Sequence, residues 1–597
     1  MLYKSILSTQ FWATALLTVQ AYHLQHDVRQ VEPCAQVGDW IAEAKTTKGI
    51  PGGLVYGCLT SMPFDAHSAV DFVDKYRKYL QFQSTIETLK GPPPTYRMPP
   101  TDLLGGLDSI RTKAENNEYA NHWGFEFDLR QLVNSAHDAH LSLQLCSTVL
   151  FRFSNSIPLV SVSPDGLELP QIYTLDDAQL LMEGARSVSP VVLIDGQKAA
   201  EYLEQFTSTA PLHDADAQYN TNFPSLASQV SIGAPRNNGL WSRNVAEMWT
   251  GDRIDLTFAN GSTLTSHRTA DLIRSEFPFR DGAALLDARC RKAQIPSTTS
   301  ASSDSAGYPN TTWTSYGGGI AGYFSTAEEL QDVGVLAVTT FSVYPSTLKQ
   351  VSVEFLRNAT AAGKKKIIID LSANPGGSLT SGLDLFHIFF PDVVPYTATR
   401  LRAHPGAEFL GKAFARLAQS DRKLSLELWD ANPFSWQSAV TPDQERGYES
   451  LEEWYGPYDI EGASVSGLYA NFNYTTISTP YSPITGYGPI PLDPAERLFA
   501  PEDIVMITDG NCVSTCAYFV DRMHCQGVRT VAFGGRPQYG PMQAIGGTRG
   551  AQNLAYGGIY SYVDIAHGLV RDSLRNGSIA LMTTEEWAEF NRSLPVH

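Results

Sequence analysis

Apolar positions change their period along this chain. From Val37 to about Gln83 they recur at helical spacing. In "DAHSAVDFVDKYRKYLQFQSTIETL", Val70, Phe72, Val73, Tyr76, Tyr79 and Leu80 fall near one face, and "KGPPPTYRMPP" ends the run. A second helical segment, "FEFDLRQLVNSAHDAHLSLQL", carries His137 and His140 near its end. It passes into an alternation that predicts a strand.

Between residues 155 and 275 the pattern shortens to runs such as "IPLVSVS", "SPVVLIDGQ" and "DRIDLTFANGSTLTSH", separated by Gly, Asp, Asn and Pro. This predicts a small β-rich module, with "VVLIDGQKAAEYLEQF" as strand, turn and helix. "RKAQIPSTTSASSDSAGYPNTTWTS" is Ser/Thr-rich and nearly free of aliphatic residues, which marks a linker or long exposed loop.

After it, strand and helix alternate. "VGVLAVTTF" is followed by a helix through "STLKQVSVEFLRNATAAG", then "KIIIDL", "SGLDLFHIFF", "DIVMITDG" and "STCAYFVDRMHC". That rhythm predicts a largely parallel, covered sheet. No internal repeat interrupts it. The lysines of "GKKKIIID" read as a solvated helix end before a buried strand.

Composition narrows the function classes. The formal charge is 44 − 62 = −18, without a basic stripe interleaved with aromatics, so nucleic acid is excluded as an expected partner. The N-terminal "MLYKSILSTQFWATALLTVQA" sets Lys4 before a short apolar stretch and ends in small residues. It reads as a cleaved signal peptide over residues 1–21, too polar for a membrane span.

Sequons at Asn260, Asn310, Asn358, Asn473, Asn576 and Asn591 fit the secretory route. Seven cysteines in an oxidising compartment are expected to pair mostly, Cys34 with Cys58 for one. The odd count leaves at least one free. Among Cys512, Cys516 and Cys525 the pairing stays open.

The chemistry concentrates in "TDGNCVSTCAYF", where Ser514 follows a strand and opens a helix. Such corners, at the C-terminal edge of a parallel sheet, collect ligands, and their free N–H groups favour an oxyanion. The bland alternative is a helix N-cap serine. The Gly-x-Ser-x-Gly elbow is absent, because Cys512 and Cys516 stand at the glycine positions.

A serine nucleophile needs a base. His524 lies ten residues along the same helix, about 15 Å away and turned some 80° off. No lysine follows Lys423, which rules out a Ser/Lys dyad. "NSAHDAHLSL" offers His137 and His140 instead, without a metal-ligand pattern. In "IIIDLSANPGGSLTSG", the N–H groups of Gly376 and Gly377 are candidates to meet a substrate carbonyl.

"VGVLAVTTF", "IIIDLSANPGGS" and "DIVMITDGNCVSTCAYF", in this order after "HDAHL", resemble the S41 family of serine peptidases, the tail-specific-protease clan. They look most like its secreted fungal branch related to the chlamydial protease-like activity factor, from about Glu32 onward. The resemblance implies Ser514 as nucleophile and His140 as general base. It also implies an oxyanion hole from Thr515 with Gly376 and Gly377, and a PDZ-like middle domain.

The lysine of Ser/Lys members is expected near "FGGRPQYGPMQ", where Tyr539, Gly540 and Pro541 stand. A glutamate is expected well beyond Ser514, and the chain is expected to stop, at "NRSLPVH", before reaching it. Glu585, Glu586 and Glu589 in "TTEEWAEF" read as a capped helix start, so no third residue is assigned.

The fold class expected is thus mixed α/β and β. A helical N-terminal region (22–150) carries the base histidine, followed by a PDZ-like domain (151–285), a linker (286–325) and an α/β peptidase domain (326–597). The expected function is a secreted serine endopeptidase acting on protein or peptide. It requires no metal or organic cofactor, and inserts into no membrane. The rival is an inert or truncated homologue that holds peptides; the oligomeric state stays unassigned.

Overall fold

The computed structural model describes residues 32–576 apart from 186, 231–238, 243–248, 275, 292–312, 316–317, 416–432, 480–481 and 549–552. The expected signal peptide, most of the Ser/Thr-rich stretch and the three terminal glutamates lie outside the described residues.

The first helical run is divided. Helices α1 (Pro33–Ala44), α2 (Gly52–Thr60) and α3 (Ala66–Leu80) are separated at Lys45, whose φ is 52°, and around the two-residue strand β1 (Ile50–Pro51). Asp65 caps α3 by accepting from the Ser68 N–H. Helix α3 packs with α4 (Leu103–Glu115) and α5 (His122–Asn134) around Val73, Leu80, Leu107, Leu129 and Val133. The Cys34–Cys58 disulfide ties α1 to α2.

The strand expected in "LSLQL" is not formed. Leu141 and Leu145 are buried and Ser142 and Gln144 exposed, but residues 141–145 carry no ladder. Alternation reports which side chains face the core and says nothing about a neighbouring strand. The ladder begins later, at β2 (Phe151–Asn155).

The middle region is an antiparallel sheet. Its strands are β3 (Val191–Ile194), β4 (Gln197–Lys198), β5 (Arg253–Phe258) and β6 (Thr263–Leu272), in the order β1-β6-β5-β3-β4 with β2 also on β6. Asp195 and Gly196 both have positive φ, 48° and 79°, the requirement of a tight hairpin that Asp-Gly meets. Helix α6 (Ala199–Thr207) follows, and its Leu203 packs with Ile194 and Leu256.

The C-terminal sheet runs β12 (Arg529–Ala532), β11 (Ile504–Thr508), β10 (Lys366–Asp370), β9 (Val333–Val338), β8 (Ile320–Phe324), β7 (Trp313–Thr314). Its first four strands are parallel, with Ile368 opposite Val335 and Val505, and β8 and β7 add an antiparallel edge. Helices α7 (Pro345–Ala361), α8 (Leu379–Phe389) and α9 (Thr515–Cys525) complete the core with Phe355, Phe386 and Phe519. Every residue of α8 is buried, which explains its lack of a polar face. Helix α10 (Tyr556–Asn576) packs Ile559 and Val563 against a separate cluster around Phe414 and Trp454.

Candidate active site

Strands β10 and β11 are parallel neighbours, so the turns at their C-terminal ends lie side by side. Residues 371–377 leave β10 for α8, and residues 509–513 leave β11 for α9. Asp509 joins the two turns: its Oδ1 accepts from Ala373 N–H and Asn511 N–H, both at 3.0 Å. Burial raises its pKa, against the lowering effect of those N–H groups.

Asn374, fully buried, joins them again. It donates from Nδ2 to the Val338 carbonyl at 2.7 Å, and its own carbonyl accepts the Val513 N–H at 3.1 Å. Its Oδ1 takes the Gly376 N–H at 2.8 Å. That bond corrects the expectation for Gly376, whose N–H is already engaged. The Gly376 carbonyl and the Ser378 N–H pair with Phe341, leaving the Gly377 N–H outside this pairing.

Ser514 stands at the N-cap position of α9, yet its hydroxyl makes no capping bond. Its Oγ lies 2.8 Å from His140 Nε2 across 374 positions of sequence. Its backbone, at φ 58° and ψ −122°, sits at the second position of a tight turn closed by the Cys516 N–H on the Val513 carbonyl at 3.0 Å. That conformation matches a type II′ turn, where glycine is the usual occupant, and costs another residue about 1–3 kcal/mol. The Thr515 N–H is the first of α9 and has no carbonyl one turn back to meet.

Two glycines let other segments of the chain approach. A Cβ on Gly376 would stand 2.6 Å from the Ser514 Cβ, and one on Gly547 2.4 Å from Val513 Cγ2. The 546–548 stretch accepts the Ala139 N–H at Gly547 (3.0 Å), and Thr548 Oγ1 accepts the Ser514 N–H (3.2 Å). A cleft of about 340 Å³ borders Gln543, three residues before this stretch, and is walled by Leu89, Pro92, Pro93 and Tyr96 together with Arg97 and His213.

His140 belongs to the loop after α5. Asp138 Oδ1 accepts its N–H at 3.0 Å, and Asp138 Oδ2 accepts from Gln83 at 3.1 Å. Burial lowers the His140 pKa, favouring the neutral ring. Its Nδ1 is buried and meets no partner among the described residues. His137, with φ 48°, turns away: its Nδ1 lies 3.0 Å from the Gln218 amide nitrogen, in the packing against residues 210–218. His524 lies on α9 itself.

The cysteines form Cys34–Cys58, Cys146–Cys290 and Cys512–Cys516, with Cys525 an exposed thiol. The 146–290 bridge escaped sequence reasoning, because a sequence separation of 144 leaves no local signal. Beside it His122 and Glu126 approach Cys146. The two sulfurs are bonded to each other, so no thiolate is offered to a metal there. Where the resemblance looks for a lysine, Tyr539 is 84% exposed.

The sheet, its turns and the Ser–His contact belong to an α/β region that follows a β-rich module. Residues 332–540 match peptidase family S41 and residues 152–277 match the CPAF-like PDZ domain. The Peptidase S41 family protein phomP1 of Diaporthe leptostromiformis is 37% identical over 504 residues, covering 80% of this chain and 75% of that protein. The Peptidase S41 family protein ustP of Aspergillus flavus is 33% identical over 406 residues, 64% of this chain and 82% of its own. The chain belongs to peptidase family S41.

Among solved structures, mature CPAF aligns at 14% identity and a TM-score of 0.43, over 87% of this chain and 99% of that one. No helix among the described residues is long and apolar enough to cross a membrane.

Proposed function

We propose that this peptidase is a secreted serine endopeptidase in which Ser514 is the nucleophile and His140 the general base. The observation that carries the reading is the 2.8 Å contact between His140 Nε2 and the hydroxyl of a serine held in a glycine-type turn. His140 Nε2 takes the hydroxyl proton while Oγ bonds to the substrate carbonyl carbon. The Thr515 and Gly377 N–H groups receive the resulting oxyanion, and His140 returns the proton to the departing amine. Water then repeats the sequence on the acyl-enzyme.

Secretion is supported by three disulfides, which persist in oxidising compartments. One observation favours the rival, an inert peptide-holding homologue: the unpartnered Nδ1 of His140. In the Ser-His-Asp template a carboxylate at that nitrogen is worth on the order of 10⁴ in turnover.

Mass spectrometry after incubation with a fluorophosphonate decides between them. The expected result is an adduct on Ser514 that the His140→Ala protein fails to form. A folded wild-type protein that takes no adduct puts the peptide-holding reading ahead.

A further inference from the structure

We propose that the Cys512–Cys516 disulfide is a positioning clamp that holds Ser514 in its reactive turn, making activity depend on the oxidised state of this one bridge. The inference rests on the serine-peptidase reading above.

Both cysteines are completely buried in the main core, two positions to either side of Ser514, with Cα atoms 5.2 Å apart. The bridge spans the II′ turn of Val513 to Cys516, with the unfavourable φ of 58° at Ser514, and the Val513 N–H of that turn donates to the Asn374 carbonyl. An unclamped serine has an alternative, because rotation into the ordinary helical region extends α9 by one residue and swings Oγ away from His140. Backbone strain persists only where the surroundings over-determine it.

The length of each bridge separates clamping from general stapling. Disulfide stabilisation through the unfolded chain grows with the logarithm of the loop closed. Cys146–Cys290 closes a separation of 144 and Cys34–Cys58 one of 24, whereas Cys512–Cys516 closes only 4. Its effect is therefore concentrated on local geometry, and the fold leans on the other two.

The chain provides its own assay. No lysine or arginine lies between Arg497 and Arg522, so Cys512, Ser514 and Cys516 share one tryptic peptide. A trialkylphosphine opens a disulfide by attack on one sulfur. With water it ends as the phosphine oxide, and the two sulfurs gain two electrons and two protons as thiols.

Graded phosphine treatment of the full-length protein, a fluorophosphonate pulse and iodoacetamide quenching then report bridge state and nucleophile reactivity on the same peptide. We expect adducts on peptides with the bridge intact and a 10- to 100-fold deficit on doubly alkylated ones. Opening of Cys34–Cys58 alone should leave labelling unchanged.

The Cys512→Ala/Cys516→Ala protein should label slower by a similar factor, with kcat lowered, KM for a peptide substrate retained and the melting temperature less affected than in Cys34→Ala/Cys58→Ala. Doubly alkylated peptides carrying the adduct at the intact-bridge frequency would overturn the clamp, even if the alanine variant failed to fold. Wild-type protein that never labels would instead overturn the serine-peptidase reading itself.

Discussion

The turn that carries Ser514 and the loop that carries His140 are held very differently. Ser514 is fixed by a disulfide, by Asn374 through Val513, by Thr548 on its own N–H, and by Asp509 across to the neighbouring turn. His140 has one backbone anchor at Asp138, a contact to Ser514, and an Nδ1 without a partner among the described residues. The proposed nucleophile sits at the C-terminal end of a parallel sheet. The proposed base arrives from another region on an irregular loop, so its orientation is the point at which this site is most easily lost.

That contrast can be broken at its centre first. Ser514→Ala and His140→Ala should each lower kcat by about 10⁴-fold or more, and the double variant should be no worse than either single one, since a proton-transfer pair acts as a unit. Steady-state kinetics on a peptide library with all three proteins checks this; multiplicative losses would contradict a coupled pair.

Next in size, Asn374→Ala removes one acceptor and one donor from a buried side chain while leaving both reactive groups in place. We expect a 10- to 100-fold fall in kcat and a loss of about 2–3 kcal/mol of stability. Denaturant titration beside kinetics measures both.

On the looser side, Asp138→Ala should lower kcat about tenfold with KM retained, whereas Asp138→Asn, which keeps an oxygen for the His140 N–H, should recover most of it. Equal losses in the two variants would show that the charge, and not the acceptor, matters.

The smallest effect is on pH. Burial holds the His140 pKa below the ordinary 6.5, so the neutral, proton-accepting ring persists to lower pH. The acid limb of kcat/KM for the free enzyme should have its midpoint below 6.5, read from a rate profile between pH 4 and 8. A histidine with a depressed folded pKa binds its proton more readily when unfolded, so its contribution to stability is complete above 6.5 and is lost as pH falls.

Much of the architecture was legible. Runs such as "KIIID" and "IVMIT" became parallel neighbours because a strand covered on both faces must be apolar throughout. Asp-Gly at 195–196 became a hairpin because its φ values demand it. "LSLQL" misled because alternation measures burial, which an extended loop also satisfies. Thr548 went unread because a threonine in "GGTRG" carries no local mark of the serine whose N–H it accepts. Asp509 reads in the sequence only as part of a turn, because its bridge to Ala373 spans 136 positions.

The sequence by itself determined the class of the chain, the strand-turn-helix corners, the residue types available for acyl transfer and the absence of a lysine beyond Lys423. These follow from local period, turn chemistry and composition. Only the tertiary structure decided that His140 and not His137 meets Ser514, that Cys512 pairs with Cys516, and that Gly376 has already donated its N–H. Each of those depends on which backbone and side-chain groups remain unpaired once distant segments have packed. A hydrogen bond is a property of two partners, and one-dimensional spacing names at most one of them.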